Sequence, residues 1–298
     1  MAKIGVVSYN LLSTNLAAPF YHIGSDPGHL RTEYRSELVK RKLLEEIKAG
    51  RIICLQEVSE VWSLILSPFF EEQKYGFVFR TFGKGKWGGI AIAYPKIYSI
   101  ANLEFVHVGS ILPKPVIPPR VKVCIFLLSI LLKLFCCKKW KQTDYEIAAT
   151  KDNILLSILF VTDKGEKFCV STYHMPCAFT QPVVMRLHIT TSIKAVTKFA
   201  GTYPLIFAGD FNIKRDSPVY LITPLANAYE KEPTHTCHTI TKDNTFTGTI
   251  DHILYTPSKL KVARVHPLPD VPTARSHPSK DEPSDHLLIG ADMEIITA

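Results

Sequence analysis

Phe207-Ala208-Gly209-Asp210-Phe211-Asn212, "FAGDFN", follows the apolar "YPLI" and leads into the polar "IKRDSP". An aspartate and an asparagine stand two residues apart where a buried strand should end. Glycine, aspartate and asparagine tolerate unusual backbone angles and bond their own backbone, so a tight turn alone accounts for them. The two side chains do more than turn the chain only if other segments bring matching groups to the same place.

Working outward, short apolar runs rich in β-branched residues recur: "IGVVSYN", "RIICLQE", "YGFVFRT", "GGIAIAY", "ILLSILFV", "FCVSTYH", "PLIFAGD", "TIDHILYT" and "LLIGADMEI". Between them, "YRSELVKRKLLEEIKAG" sets Leu38, Leu43, Leu44 and Ile47 near helical spacing and stops at Gly50. "MRLHITTSIKAVTKFAG" repeats the design and stops at Gly201. Strands alternating with such helices predict an α/β protein, and hairpin-like neighbours predict mixed sheets. The 298 residues show no Gly/Ser linker and no internal repeat, and 46% apolar content fills a substantial core. A single domain over 1–298 is therefore expected.

The formal charge of +8 suits an anionic partner such as nucleic acid, phosphate or a membrane surface. Seven cysteines without a CxxC pair argue against a disulfide framework and against a structural zinc site. "MAKIGVVSYN" runs directly into a strand-like segment, so no signal peptide is expected and a cytoplasmic enzyme or binding protein is.

Polar residues mark the strand ends. Asn10 ends the first run, Gln56-Glu57 the second, and His174 follows "VSTY". Asp210 and Asn212 follow "LIFAG", Asp251-His252 interrupt "TGTIDHILY", and Ser284-Asp285-His286 introduce the last run. Sheet ends are where rigid strands bring distant side chains together.

In that order, "SYNLL", "CLQEV", "TYHM", "GDFN", "TIDHILY" and "SDH" resemble the endonuclease/exonuclease/phosphatase superfamily, over nearly the whole chain. Two further stretches, "EYRSELVKRKLLEEIKAGRIICLQEV" and "ATKDNILLSILF", resemble its branch of deadenylases, nocturnin, Angel and 2′-phosphodiesterases. The resemblance implies a DNase I-like four-layer sandwich, two mixed β-sheets face to face with helices outside.

It also implies roles. Glu57 is the expected Mg²⁺ ligand, with Mn²⁺ as a substitute, supported by Asn10 and with Asp285 as a further ligand. A hard cation needs few carboxylates when water and phosphate complete its shell. Asp210 is the expected base for the attacking water, positioned by Asn212. His286, oriented by Asp251, and His174 are expected at the phosphate. Asn153 and Arg35, with Asn10, are the expected substrate-binding residues. Leu287 stands where deadenylases of this type often carry a phenylalanine that stacks on adenine.

The implied activity is Mg²⁺-dependent phosphodiester hydrolysis on RNA, from the 3′ end as in deadenylases. Competing readings are hydrolysis of 2′,3′-cyclic phosphate or 2′-5′ linkages, a sphingomyelinase-like lipid phosphodiesterase, and a non-catalytic RNA-binding protein. The lipid reading comes from an apolar, basic insert at 114–142. Within its stretch 121–141, "VKVCIFLLSILLKLFCCKKWK", the apolar run Val121 to Cys137 would make a helix roughly 25 Å long, short of a bilayer core of about 30 Å. Lys122, Ser129 and Lys133 share one face, which fits peripheral contact with a membrane surface. "HTCHT" (235–239) reads as loop polarity, and "GKGKWGG" (83–89) as a hairpin with a partly exposed Trp87.

Overall fold

A computed structural model describes residues 3–83, 85–114, 142–220 and 222–296. The 121–141 stretch, and all of the insert except its two end residues, lie outside the described residues. Strand β1 (Lys3–Asn10) leads to helix α1 (Thr32–Lys48), β2 (Ile52–Gln56), α2 (Glu60–Glu72), β3 (Tyr75–Phe82) and β4 (Gly88–Pro95). Next come β5 (Ser99–His107), α3 (Asp144–Ala149), β6 (Ile154–Val161), β7 (Lys167–His174), α4 (Pro182–Ala200) and β8 (Leu205–Asp210). Then follow β9 (Ala226–Asn227), β10 (Cys237–Ile240), β11 (Thr245–Gly248), β12 (Asp251–Tyr255), β13 (Leu260–Val265) and β14 (Ile289–Ile295).

Two six-stranded sheets result, ordered β13-β14-β1-β2-β4-β3 and β5-β6-β7-β8-β12-β9, while β10 and β11 form a separate hairpin. Both sheets are mixed: β1–β2 and β7–β8 run parallel amid antiparallel neighbours. The period-two pattern of the strands dictates the layering. In β1, Ile4 and Val6 enter the core between the sheets, whereas Val7 and Tyr9 pack outward with Val39 of α1 and Trp62 of α2. In β8, Ile206 and Ala208 face the inner core, and Leu205 and Phe207 face α4. Each large apolar side chain so buried contributes about 1.5–3 kcal/mol. The expected four-layer sandwich is what the chain forms.

The inner core is not wholly apolar. Gln56 of β2 donates through Nε2 to Ser8 Oγ at 3.1 Å and to Thr172 Oγ1, across in the other sheet, at 2.9 Å. Beneath α4, Tyr173 and His188 meet at 2.7 Å, and His188 Nε2 lies 3.0 Å from the Ala148 carbonyl. That carbonyl only accepts, so Nε2 carries the proton and Nδ1 accepts from the tyrosine hydroxyl.

Helix ends at Gly50 and Gly201 agree with the sequence reading, and "GKGKWGG" does join β3 to β4 with Trp87 partly exposed. "HTCHT" departs from it. Its second half is strand β10, because Cys237–Ile240 pairs with β11 and Cys237 also bridges His286. Among the described residues no helix is long and apolar enough to cross a membrane.

Gly209 of the opening stretch has a steric reason. An added Cβ would stand 2.0 Å from the Tyr173 carbonyl oxygen of the neighbouring strand, and a backbone atom cannot yield cheaply. Gly209→Ala is therefore expected to cost about 1–3 kcal/mol in urea unfolding, and unchanged stability would contradict this packing. His188 supplies a pH test. Burial lowers its pKa from 6.5 to about 4, with the Ala148 bond opposing that shift. As pH falls below about 6.5 the unfolded chain binds the proton first, so stability is lost between about 6.5 and 4. The wild type should lose about 2 kcal/mol more over that window than His188→Gln; equal slopes would contradict a neutral buried ring.

Candidate active site

The register of the strands converges the polar strand ends. Asp210 is level with His174 on parallel β7 and with Asp251 on antiparallel β12, while Asn10 is level with Gln56 at the end of β2. They gather beside a cleft of about 820 Å³. Glu57, Asn153, His174, Asp210, Asn212, Asp285 and His286 line it.

Asp210 Oδ2 is the focus. It lies 3.0 Å from Asn10 Nδ2, 3.5 Å from His174 Nε2 and 3.7 Å from His286 Nε2. Its Oδ1 accepts the Asn212 backbone N–H at 2.9 Å, the turn geometry that the residue types allow. Asn212 takes φ 52° and donates through Nδ2 to the Met175 carbonyl at 2.9 Å. The turn and the site are thus the same object.

Asn10 is wholly buried and stands just behind the cleft-lining carboxylates. Its Oδ1 accepts from Leu12 N at 2.9 Å, and its NH₂ spans two carboxylates, Glu57 Oε1 at 3.1 Å and Asp210 Oδ2 at 3.0 Å. Only this amide orientation satisfies every partner, since carboxylates accept and N–H donates. Glu57 Oε2 accepts Ser13 N at 2.7 Å, and Glu57 holds φ 56°, a conformation costly for a residue with a Cβ.

Arg35, expected at the substrate, braces the site from behind. It is fully buried behind the cleft, with its guanidinium on the carbonyls of Leu11, Leu12 and Pro283 and near the Trp62 ring. Burial lowers its pKa to about 10. It ties the segment after Asn10 to the segment before Ser284, and so acts on the site through backbone position.

His286 Nδ1 lies 2.8 Å from Asp251 Oδ2, which also accepts Thr236 Oγ1 at 2.6 Å. Burial pushes the Asp251 carboxyl up to about 6, against the pull of His286. Burial alone would lower His286; Asp251 and Asp210 more than reverse it and hold the imidazole well above its ordinary value. The pair leaves His286 Nε2 facing Asp210 Oδ2 at 3.7 Å. Asp251 itself does not line the cleft and acts through the ring it holds. Asn153 lines the cleft and donates to the His174 carbonyl at 2.8 Å.

Whether the donors fit a divalent cation follows from charge. Among the described residues no Lys or Arg lies within ion-pair distance of Glu57 or Asp210, although both are buried and share one amide. Buried carboxylates are ordinarily paired or bound to metal. Their hard oxygens fit such an ion. Asp285 differs: one ligand atom of it lies within 4.8 Å of one each from Cys237 and His286, a mixed set.

Sequence reasoning missed Phe179 and Phe246, whose rings stack at 6.4 Å with Phe179 on the surface of the cleft wall. Lys214 Nζ lies 5.3 Å from the Phe246 centroid. Phe179 belongs to no periodic segment, and Phe246 sits in a hairpin that was not foreseen. The turn-forming "MPCAFTQP" after His174 was the only available signal.

Comparisons with known proteins bear on the fold and the family. The model of the Endonuclease/Exonuclease/phosphatase family matches residues 7–286. Nocturnin of Drosophila melanogaster is 27% identical over 194 residues, 53% of this chain, which spans only 29% of that protein's length. The crystal structure of ANGEL2, a 2′,3′-cyclic phosphatase, in complex with adenosine-2′,3′-vanadate has a TM-score of 0.74 at 17% identity, covering 98% of this chain and 95% of that one. The human Nocturnin catalytic domain with bound sulfate has a TM-score of 0.69 at 18% identity, covering 99% and 95%. Both structural likenesses speak for the fold, and the matched family model speaks for descent. The chain belongs to the endonuclease/exonuclease/phosphatase family, a family of enzymes that hydrolyse phosphate esters.

Proposed function

We propose that residues 1–298 form one catalytic unit, a phosphodiesterase that needs Mg²⁺, or Mn²⁺ in its place, and removes nucleotides from RNA 3′ ends. The observation that carries this reading is Asp210 Oδ2, bound by the Asn10 amide and flanked by two imidazoles at 3.5 and 3.7 Å. A carboxylate so placed accepts a proton from a water in the cleft. Asn212 fixes its other oxygen.

The imidazolium of His286, held by Asp251, offers Nε2–H to a non-bridging phosphate oxygen. His174 Nε2 serves the opposite side, near the leaving oxygen, while Asn153 holds the His174 backbone. Glu57 would hold the cation, whose contribution when bound is to neutralise charge building on the phosphoryl oxygens. Proton transfer by a positioned group contributes typically about 10²–10⁴-fold.

RNA is the favoured substrate because the cleft pairs this polar floor with aromatic faces. Phe179 and Phe246 can take a base by stacking, worth about 1–3 kcal/mol per base and tolerant of sequence. ANGEL2, which shares this fold, is a 2′,3′-cyclic phosphatase and was bound to a nucleoside vanadate, which supports a nucleotide substrate and makes the cyclic-phosphate end the second reading.

A panel of oligo(A), mixed RNA, cyclic-phosphate ends, 2′-5′ oligoadenylate and sphingomyelin, with Mg²⁺ or EDTA, tests the substrate. Linear RNA should be shortened from its 3′ end only with Mg²⁺. Preference for the cyclic, 2′-5′ or lipid arm would contradict the substrate, and no turnover by folded protein would support a binder. Asp210→Asn should lower hydrolysis about 10²-fold or more while RNA affinity survives; near-normal turnover would remove Asp210 as base. Glu57→Ala should raise the Mg²⁺ concentration needed for half-maximal activity about tenfold and lower the rate. An unaltered metal response would remove Glu57 as ligand.

A further inference from the structure

Asp285 stands in a cluster with softer donors than magnesium takes. Cys237, Asp285 and His286 each place one ligand atom within 4.8 Å of the other two. All three line the cleft, with Cys237 and His286 buried. Sulfur, oxygen and nitrogen make a mixed donor set. Magnesium takes hard oxygens, whereas thiolate with imidazole selects zinc or another thiophilic ion.

The backbone holds the trio in place. Cys237 and His286 face each other in an antiparallel bridge, flanked by Leu287 N to Thr236 O at 2.7 Å and His238 N to Asp285 O at 2.9 Å. The outer contacts are also those of a metal site. A metal-binding histidine nearly always gives its second ring nitrogen to a carboxylate or carbonyl, which fixes the tautomer. His286 Nδ1 is committed to Asp251 in this way, and Asp251 is anchored by Thr236. Nε2 is the nitrogen left for a cation.

We propose that Cys237, Asp285 and His286 form a binding site for a thiophilic divalent cation, zinc by its chemistry, and that its occupation inhibits the enzyme. Ligands on a tetrahedral zinc stand about 3.5 Å apart, so closure takes about 1 Å of side-chain movement. The S–H and Nε2–H bonds break, S–Zn and N–Zn bonds form, and both protons pass to solvent. The carboxylate of Asp285 is the third ligand, and water takes the open position. A thiol binds such a cation as the thiolate, so Cys237 gives up its proton as the cation enters. Inhibition rests on the phosphodiesterase reading, because it removes Nε2–H of His286 from the phosphate; binding does not.

The test uses the full chain in Mg²⁺ buffer, titrated with Co²⁺ as a coloured stand-in for Zn²⁺. A thiolate-to-cobalt band in the near ultraviolet should grow to one equivalent, vanish on adding one equivalent of Zn²⁺, and be absent from Cys237→Ser and Cys237→Ala. Two variants, each checked by thermal unfolding, guard against loss of fold in one. Zn²⁺ should slow RNA hydrolysis about tenfold in the wild type and by less than about twofold in Cys237→Ala. No band, or a band that persists in both folded variants, overturns the site. Equal inhibition of wild type and variant overturns the inhibitory role. The expected band in a protein that hydrolyses no phosphodiester sustains the cation site and defeats the proposed function.

Discussion

One side-chain amide joins the two sheets at the cleft. Asn10, at the end of β1 in one sheet, donates to Glu57 beside it and to Asp210 at the end of β8 in the other. Two buried carboxylates on separate layers are thereby held to a common donor instead of repelling freely. Two imidazoles, His174 and His286, stand 3.5 and 3.7 Å from Asp210, and no Lys or Arg among the described residues stands within ion-pair distance of either carboxylate. Buried carboxylates are ordinarily paired or bound to metal.

Around that bridge the molecule separates two kinds of work. Core side chains between and outside the sheets position the strand ends, and Gln56 with Ser8 and Thr172 adds a polar tie between the sheets just below them. The loops at those ends carry the chemistry. Arg35 shows how the two levels connect: a buried guanidinium on three carbonyls fixes the segments bearing Asn10 and Asp285–His286 without touching the cleft. Asp251 works similarly on His286, holding a ring whose other nitrogen faces Asp210.

The layering was legible because period-two apolar strands and two glycine-stopped helices carry it locally. The convergence of Glu57, His174, Asp210, Asn212 and His286 was legible only as an ordered set of strand-end residues, since each alone is an ordinary turn or cap. What the sequence did not disclose is direction. Whether Arg35 and Asn10 face the cleft or the interior depends on which carbonyls and carboxylates surround them, and those come from segments far away in the chain. The same holds for Cys237: "HTCHT" looked like loop polarity until pairing with β11 and His286 made it a strand. Phe246, on β11, was hidden for the same reason.

The central proposal is that Glu57, beside the bridging amide and the base Asp210, holds a hard divalent cation. Anomalous diffraction from crystals soaked in Mn²⁺ locates such an ion directly. A peak within coordination distance of Glu57, lost in Glu57→Gln crystals, is the predicted result. Ordered density for the Glu57 carboxylate with no peak beside it, or a peak only at Asp285, would contradict the account.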